Sequence, residues 1–191
     1  MALLSVSKRK KYMEYLGYGK YDESSIRRLQ KDYFTRKKDI DGQYGPDTDN
    51  LLRHVYNVKK YAPNFSPKEF KCGCNGRYCT GYPNYMRKNE LQHIQRIREH
   101  YGKPITVTCG LRCKKYNSLL NGAVSNSLHV LGRAIDFYIP GVTDTLARRK
   151  KAINYIKTLP HHHYTYGNGW SSYGVSVYAP NMGNALHTDT N

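Results

Sequence analysis

The sequence predicts an α+β fold, in which helices pack on one side of an antiparallel sheet and a small helical segment comes first. Short strand-like segments of mixed spacing lie among longer helical patterns, which is typical of α+β domains. Two prolines within residues 59–67 interrupt the helical periodicity and separate two parts of the chain. We therefore expect a helical module over residues 1–60 and an α+β domain over residues 61–191.

The first part contains two predicted helices, at residues 24–34 and 48–58. The first begins with a capping Ser, and a polar turn at 39–48, rich in Asp and Gly, separates the two. Their apolar stripes are Ile26, Leu29 and Tyr33 in the first helix, and Leu51, Leu52, Val55 and Val58 in the second.

The second part combines helical and strand patterns. We expect helices at 84–101, 113–120 and 143–159, and strands at 104–108, 134–139, 164–166, 174–178 and 185–187. The strand at 134–139 is apolar except for Asp136 and Tyr138. An unpaired buried carboxylate is very costly, so Asp136 needs a group that balances its charge.

The composition indicates an anionic partner. The chain has 31 Lys and Arg against 14 Asp and Glu, a formal net charge of +17, which attracts polyanions. The basic residues are spread over the whole chain, so anionic wall polymers fit as well as nucleic acid. Nineteen Tyr with one Trp suit surfaces that stack on sugars or bases, or reflect compositional drift.

The N-terminal residues lack the pattern of a signal peptide, and no apolar run is long enough to span a bilayer. We therefore expect synthesis in a cytoplasm and no stable membrane insertion.

Five cysteines leave three alternatives open. Cys72, Cys74 and Cys79 are closely spaced, and Cys109 or Cys113 could add a fourth ligand to a small structural zinc site. One or two disulfides would leave at least one free thiol because the count is odd. Reduced, partly buried thiols need no partner, and a cytoplasmic origin favours thiols or zinc over disulfides.

Three side chains form a candidate metal site. His129 precedes Asp136 by seven residues, with a predicted turn at Val130-Leu131-Gly132, and His187 lies near the C-terminus. Two imidazoles and a carboxylate are the ligand set of an open zinc (Zn²⁺) site, whose fourth position is left for water. A hydrogen-bonded structural pair, however, explains an isolated His and Asp at this spacing more often than a metal does.

An ordered set of motifs resembles the M15-type zinc peptidases. The motifs are Val107–Cys113, Tyr116-Asn117, Ser127–His129, Gly132–Asp136 and Leu186–Asp189. That family comprises D-Ala-D-Ala carboxypeptidase-like and endolysin peptidases, which cut peptidoglycan stem peptides, and the resemblance covers residues 63–189. It implies a Hedgehog/DD-peptidase-like fold with zinc held by His129, Asp136 and His187.

The resemblance also implies roles for residues around the metal. Arg112 corresponds to an arginine that could hold a substrate carboxylate or the oxyanion, although it could instead pair with a surface acid. Ser127 could donate a hydrogen bond to substrate or only close the turn. Cys109 stands where relatives commonly carry Ser, which puts the role of that hydroxyl in doubt. A thiol nucleophile would need a His base and a lowered thiol pKa, and the sequence shows neither clearly.

The catalytic base is the main departure from the family pattern. Many relatives carry an acid three residues before the last zinc-binding His, where this chain has Asn184, and an amide is no general base. Asp189 shares the strand face of His187, because side chains repeat with period two. It is therefore a candidate base, or an acceptor that orients His187. The run His161–His163 offers imidazoles that could relay the proton.

A second resemblance concerns residues 1–60. Leu-Gln in the first helix and Asp-Gly-x-Tyr-Gly-Pro-x-Thr before the second resemble the small three-helix peptidoglycan-binding module. The aromatic-Gln pair that usually ends this module is missing. The alternative is a helical hairpin that only packs on the catalytic domain.

We therefore predict a zinc-dependent peptidase, phage endolysin-like, that hydrolyses an amide bond in the stem peptide of peptidoglycan. It would be made in the host cytoplasm and act on the wall after release. A catalytically inactive, zinc-containing wall-binding protein is the alternative, which Asn184 favours. A nucleic-acid-binding protein is supported only by charge and Tyr content.

Overall fold

The computed structural model describes residues 2–191 and shows an α+β fold. The helices in this range are α1 (Val6–Tyr15), α2 (Glu23–Tyr33), α3 (Pro46–Tyr61), α4 (Lys88–Tyr101), α5 (Lys114–Asn117), α6 (Leu128–Leu131) and α7 (Leu146–Ile156). The strands are β1 (Thr106–Cys109), β2 (Ala134–Tyr138), β3 (His162–Gly167), β4 (Trp170–Ser171) and β5 (Leu186–Thr190). None of the helices within residues 2–191 has both the length and the apolar character needed to cross a membrane.

The five strands form one sheet in the order β1-β2-β5-β3-β4, and each neighbouring pair is antiparallel. The last strand, β5, therefore lies in the middle, between β2 and β3. Its register places His187 directly opposite Asp136 on β2 and opposite Tyr166 on β3. Three positions that are distant in sequence meet on adjacent strands as a result.

The two faces of the sheet have different environments. Ile135 and Phe137 alternate with Asp136 on β2 and are fully buried in the hydrophobic core. Helices α4 and α7 contribute Ile94 and Ile153 to the same core. One face is thus held by helices, as predicted, and the face that carries Asp136 is left for polar side chains.

The N-terminal helices belong to this same core. The predicted stripe of α3 is buried, and Leu29 and Leu51 lie in one hydrophobic cluster with Ile135 and Phe137. The Nε2 of His54, on α3, is 2.9 Å from the Pro67 carbonyl oxygen. These contacts favour a hairpin that packs on the α+β part, whereas the division at residues 60 and 61 and the wall-binding role stay predictions.

The Leu-Gln and Asp-Gly motif has a structural role. The Gln30 amide donates to Asp41 Oδ1 (2.8 Å) and to the Gln43 carbonyl (3.0 Å), and its Oε1 accepts from the Gly42 N–H (2.7 Å). Gln30 therefore fastens the turn between α2 and α3 from within the protein.

The secondary structure departs from the prediction at several elements. Residues 174–178 form no strand; they follow β4 loosely, with the Gly169 N–H bonded to the Val177 carbonyl. Helix α4 begins at Lys88 instead of 84, because the preceding residues are extended and the Arg87 N–H bonds to the Gly132 carbonyl at 2.8 Å. Helix α1 was not predicted, since Met13 is its single buried residue.

Candidate metal centre and its surroundings

His129 is positioned by the single turn of α6 and by a glycine that ends it. Gly132 has a φ of 70°, and a Cβ there would lie 2.1 Å from the Tyr85 carbonyl oxygen. The predicted turn at 130–132 is thus the end of a short helix. The imidazole is 3% exposed, and its Nδ1 lies 2.8 Å from the Gly110 carbonyl oxygen. Because a carbonyl only accepts, Nδ1 carries a proton, and Nε2 is the ring nitrogen that faces the site.

Asp136 and His187 face each other across β2 and β5. His187 Nδ1 lies 2.8 Å from Asp136 Oδ1, and His129 Nε2 lies 3.3 Å from that same oxygen. The structure therefore brings together the three residues that the sequence singles out as ligands, on the sheet face opposite the helices.

Asp189 lies behind His187, one strand repeat further along β5. Its Oδ2 is 3.1 Å from His187 Nε2, and its Oδ1 is 2.5 Å from His163 Nδ1. The carboxylate is 3% exposed, and both of its oxygens face imidazoles. This placement suits an acceptor that orients His187 better than a base that meets solvent or substrate.

The cluster is held by opposite charges. Burial alone would lower the pKa of His129, but hydrogen bonds with Asp136 and Cys109 and the negative charge of Asp136 raise it to about 10. Burial opposes charge on Asp136 as well, yet hydrogen bonds from His129 and His187 hold its pKa well below the usual range. In the same way the pKa of His187 is raised and that of Asp189 is lowered, against the effect of burial. Hydrogen bonds and opposite charges between the imidazoles and the two carboxylates thus outweigh the cost of burying them.

The donor atoms of these residues are of the kind that zinc binds. Two imidazole nitrogens converge on one carboxylate oxygen, at 2.8 and 3.3 Å. Ligand atoms about 2.0–2.1 Å from a tetrahedral zinc ion lie roughly 3.4 Å apart, which is close to these two nitrogen–oxygen separations. The donors that all lie within 4.8 Å of one another are those of Cys109, His129 and Asp136, whereas His187 joins the group through Asp136. Each imidazole is also held from behind by an acceptor, the Gly110 carbonyl for His129 and the Asp189 carboxylate for His187. Such acceptors fix the ring orientation of metal-binding histidines.

Arg112 lies at the edge of this centre. One terminal nitrogen is 3.9 Å from Asp136 Oδ2 and 3.2 Å from Cys109 Sγ, and the other donates to Asn117 Oδ1 at 3.1 Å. Its Nε is buried and has no hydrogen-bond partner among residues 2–191. The guanidinium is therefore held by Asn117, and its Nε is a buried donor that makes no hydrogen bond within the described residues.

Cys109 is closer to the centre than the sequence indicated. It ends β1 at an irregular step opposite Asp136. Its sulfur, a His129 ring nitrogen and an Asp136 carboxylate oxygen all lie within 4.8 Å of one another. Sequence reasoning considered Cys109 as a replaced Ser, as a nucleophile or as a fourth ligand of the cysteine site. It did not place Cys109 beside Asp136, because the β1–β2 register was not known.

Tyr166 was missed by the sequence analysis, which gave it only a strand conformation. Its ring centroid lies 4.9 Å from that of His187, to which it is paired across β3 and β5. Burial raises the pKa of Tyr166, and the charge of Asp136 raises it further. A protonated phenol therefore lies next to the centre. The abundance of Tyr was the only available signal, and it does not single out a position.

The remaining predicted residues lie outside the cluster or at its margin. Ser127 is buried and precedes α6, but its side chain makes no capping hydrogen bond to that helix. Asn184 is exposed, and its amide oxygen lies 3.4 Å from Arg149 Nη1. Of the histidine run, His163 bonds to Asp189, whereas His162 Nε2 lies 3.0 Å from the Thr165 hydroxyl.

The family model described as Peptidase M15 matches residues 63–166, which is more than half of the chain. The match includes Arg112, His129 and Asp136 and ends before β5. No curated protein and no protein of solved structure matches the chain. The chain therefore belongs to the Peptidase M15 family, a membership that supports a metallopeptidase.

Proposed function

We propose that this protein is a zinc-dependent peptidase that hydrolyses an amide bond in the stem peptide of bacterial peptidoglycan. The observation that carries the proposal is the convergence of His129 Nε2 and His187 Nδ1 on Asp136 Oδ1, at 3.3 and 2.8 Å. Family membership adds the reaction class. The net charge of +17 suits attraction to anionic wall polymers and supports an endolysin-like action on the cell wall.

In this proposal His129, Asp136 and His187 hold the ion. A zinc ion with three protein ligands acidifies a water molecule and polarises the scissile carbonyl. The Gly110 carbonyl fixes the proton of His129 on Nδ1, and Asp189 accepts from Nε2 of His187. With those protons in place, Nε2 of His129 and Nδ1 of His187 would be the nitrogens that bind the ion.

Two further residues would stabilise the negative charge that develops on the carbonyl oxygen. Arg112 is fixed by Asn117 and has a buried Nε without a partner among residues 2–191. Tyr166 keeps its phenolic proton, and its ring packs on His187. Donors that are already in place where charge develops stabilise a transition state without reorganisation.

The second candidate is a wall-binding protein that keeps the metal and lacks catalysis. The exposed Asn184, directed toward Arg149, supports it, because no acid occupies the position that serves as base in many relatives. This candidate predicts stoichiometric zinc without hydrolysis.

The test is digestion of purified peptidoglycan from several bacteria, with and without a chelator, followed by labelling of new amino termini and mass spectrometry. We expect new termini that disappear with chelator and return with added zinc. His129→Ala should abolish them, whereas His100→Gln, on the exposed end of α4, serves as the matched control. Bound zinc without new termini from any wall would favour the binding protein, and lysis by His129→Ala would refute the ligand set.

A further inference from the structure

Four of the five cysteines form a separate cluster, away from the candidate metal centre. The sulfurs of Cys72, Cys74, Cys79 and Cys113 all lie within 4.8 Å of one another, and those of Cys74 and Cys79 are 3.4 Å apart. None of them is in a disulfide. Three of the four side chains are buried, and Cys79 is partly buried.

This arrangement has the size of a tetrahedral thiolate site. With zinc–sulfur bonds of about 2.3 Å, the sulfurs of such a site lie roughly 3.8 Å apart. Disulfides would join the sulfurs in two separate pairs at about 2.05 Å. Four sulfurs around one point are what a single ion requires, and two disulfides do not need that geometry.

The backbone around the cysteines is shaped to present them. Residues 72–81 contain no helix or strand, and Asn75 and Gly76 have φ values of 51° and 82°. The loop is closed by the Cys72 N–H, which donates to the Gly81 carbonyl at 2.8 Å. Asn tolerates this left-handed conformation better than most residues. The reversal brings Cys79 back to Cys74.

Backbone N–H groups also point at the sulfurs. The Cys113 N–H lies 3.3 Å from Cys72 Sγ, and the Tyr116 N–H lies 3.4 Å from Cys113 Sγ. Hydrogen bonds to the charged form of a group favour that form, and the thiolate is the form that binds metals.

The loop is joined to the segment after α2 by the Thr35 N–H, which donates to the Thr80 carbonyl at 3.2 Å. The cysteines form their own small cluster, against which Tyr78 and Tyr116 pack, separate from the main hydrophobic core. A ten-residue segment without regular structure gains little from so small an apolar cluster. A structural metal is one of the cross-links that stabilise such segments.

We propose that Cys72, Cys74, Cys79 and Cys113 hold a structural zinc ion that fastens the loop at 72–81 to the segment carrying Arg112. Four protein ligands close the coordination sphere and leave no position for water, so this ion takes no part in hydrolysis. The proposal does not depend on the peptidase activity proposed above.

The test is metal analysis and cobalt substitution of the full chain, purified under reducing conditions. Cobalt in the wild-type protein should give the sulfur-to-metal charge-transfer absorption and the intense visible bands of a tetrahedral tetrathiolate site. Cys79→Ser should lose this spectrum and one zinc ion per chain. Cys79→His, which can still ligate, should keep the metal with a shifted spectrum, and this guards against misfolding of the Ser variant. Cys109→Ser is the matched control and should keep the tetrathiolate bands.

Combination with His129→Ala separates this proposal from the peptidase proposal. If zinc remains in His129→Ala and is lost in Cys79→Ser, the cysteine site stands whatever the fate of the other. If wild-type protein shows no thiolate absorption with cobalt, or if Cys79→Ser keeps every zinc ion of the wild type, the cysteine site is refuted. Two disulfides in the reduced-buffer preparation, detected by mass spectrometry, would also overturn it.

Discussion

Asp189→Asn separates two roles of this carboxylate, that of a base and that of an acceptor for His187. The change preserves size and shape, so the buried position should still be filled. It removes the charge that accepts from His187 Nε2 at 3.1 Å and faces His163 Nδ1 at 2.5 Å. The remaining single carbonyl oxygen of Asn can accept from only one of the two imidazoles.

The magnitude follows from the geometry. Both Asp189 oxygens are engaged, and the residue is 3% exposed, which is the environment of an orienting acceptor. Loss of such an acceptor typically lowers metal affinity 10–100-fold, about 1.4–2.7 kcal/mol. Loss of a general base would instead lower kcat by about 10²–10⁴ with the ion still bound.

The assay has two independent readouts. Zinc affinity is measured by competition with a chromophoric chelator, and kcat is measured on a stem-peptide fragment at saturating zinc. We expect the affinity of Asp189→Asn to fall 10–100-fold while kcat at saturating zinc changes by less than about tenfold. Asp144→Asn, at an exposed position, is the matched control. Unchanged zinc affinity together with a kcat loss of about 10² or more would refute the orienting role.

Four other substitutions test the surrounding structure. Gly132→Ala should lower the free energy of unfolding by more than the roughly 1–2 kcal/mol that a left-handed conformation costs a residue other than glycine. The added Cβ would lie 2.1 Å from the Tyr85 carbonyl oxygen, which adds a steric clash. A smaller loss in urea denaturation would contradict this reasoning. Burial raises the pKa of Glu90 well above its ordinary value. The folded state therefore keeps a proton that the unfolded state loses above pH ~4.5. Between that pH and the folded-state pKa, the free energy of unfolding should fall by up to about 1.4 kcal/mol per pH unit. Glu90→Gln has no such proton to lose, so its stability relative to wild type should grow as pH rises from about 4.5 toward the folded-state pKa of Glu90. A stability difference, measured by urea denaturation, that stays constant over this pH range would contradict the reasoning. Arg112→Lys and Tyr166→Phe should each lower kcat by about 10²–10³ while zinc content stays at the wild-type level; unchanged kcat would remove that residue from the transition state.

Much of the framework was predictable because it depends on local periodicity. The strand around Asp136 was predicted from the apolar residues on either side of this single carboxylate, and β2 spans Ala134–Tyr138. The stripe of α3 was predicted in the same way and is buried. Periodicity also indicated that Asp189 and His187 share one face, since alternation along a strand requires no knowledge of its neighbours.

The contacts between elements were not predictable from such patterns. Cys109 reaches Asp136 through an irregular step in the β1–β2 register, and no sequence spacing encodes that step. Glu90 is fully buried on α4, together with His93, Ile94 and Ile97. The segment expected as a strand at residues 174–178 does lie beside β4, since the Gly169 and Ser171 N–H groups donate to the Val177 and Val175 carbonyls, but these bonds do not extend into a regular ladder.

The strongest link between the two proposed metal sites is the short segment from Cys109 to Cys113. Its Gly110 carbonyl orients His129, its Arg112 reaches Asp136, and its Cys113 belongs to the cysteine cluster. The segment is itself fixed by a backbone hydrogen bond of 2.8 Å from the Leu111 N–H to the Phe70 carbonyl, just before Cys72. No side chain fits at Gly110, because a Cβ there would lie 2.6 Å from the Phe70 Cα. The loop at 72–81 therefore helps to fix the segment that orients His129 and carries Arg112. His187 and Asp136, by contrast, are held by the sheet, which explains how two ligands can keep their geometry independently of that loop.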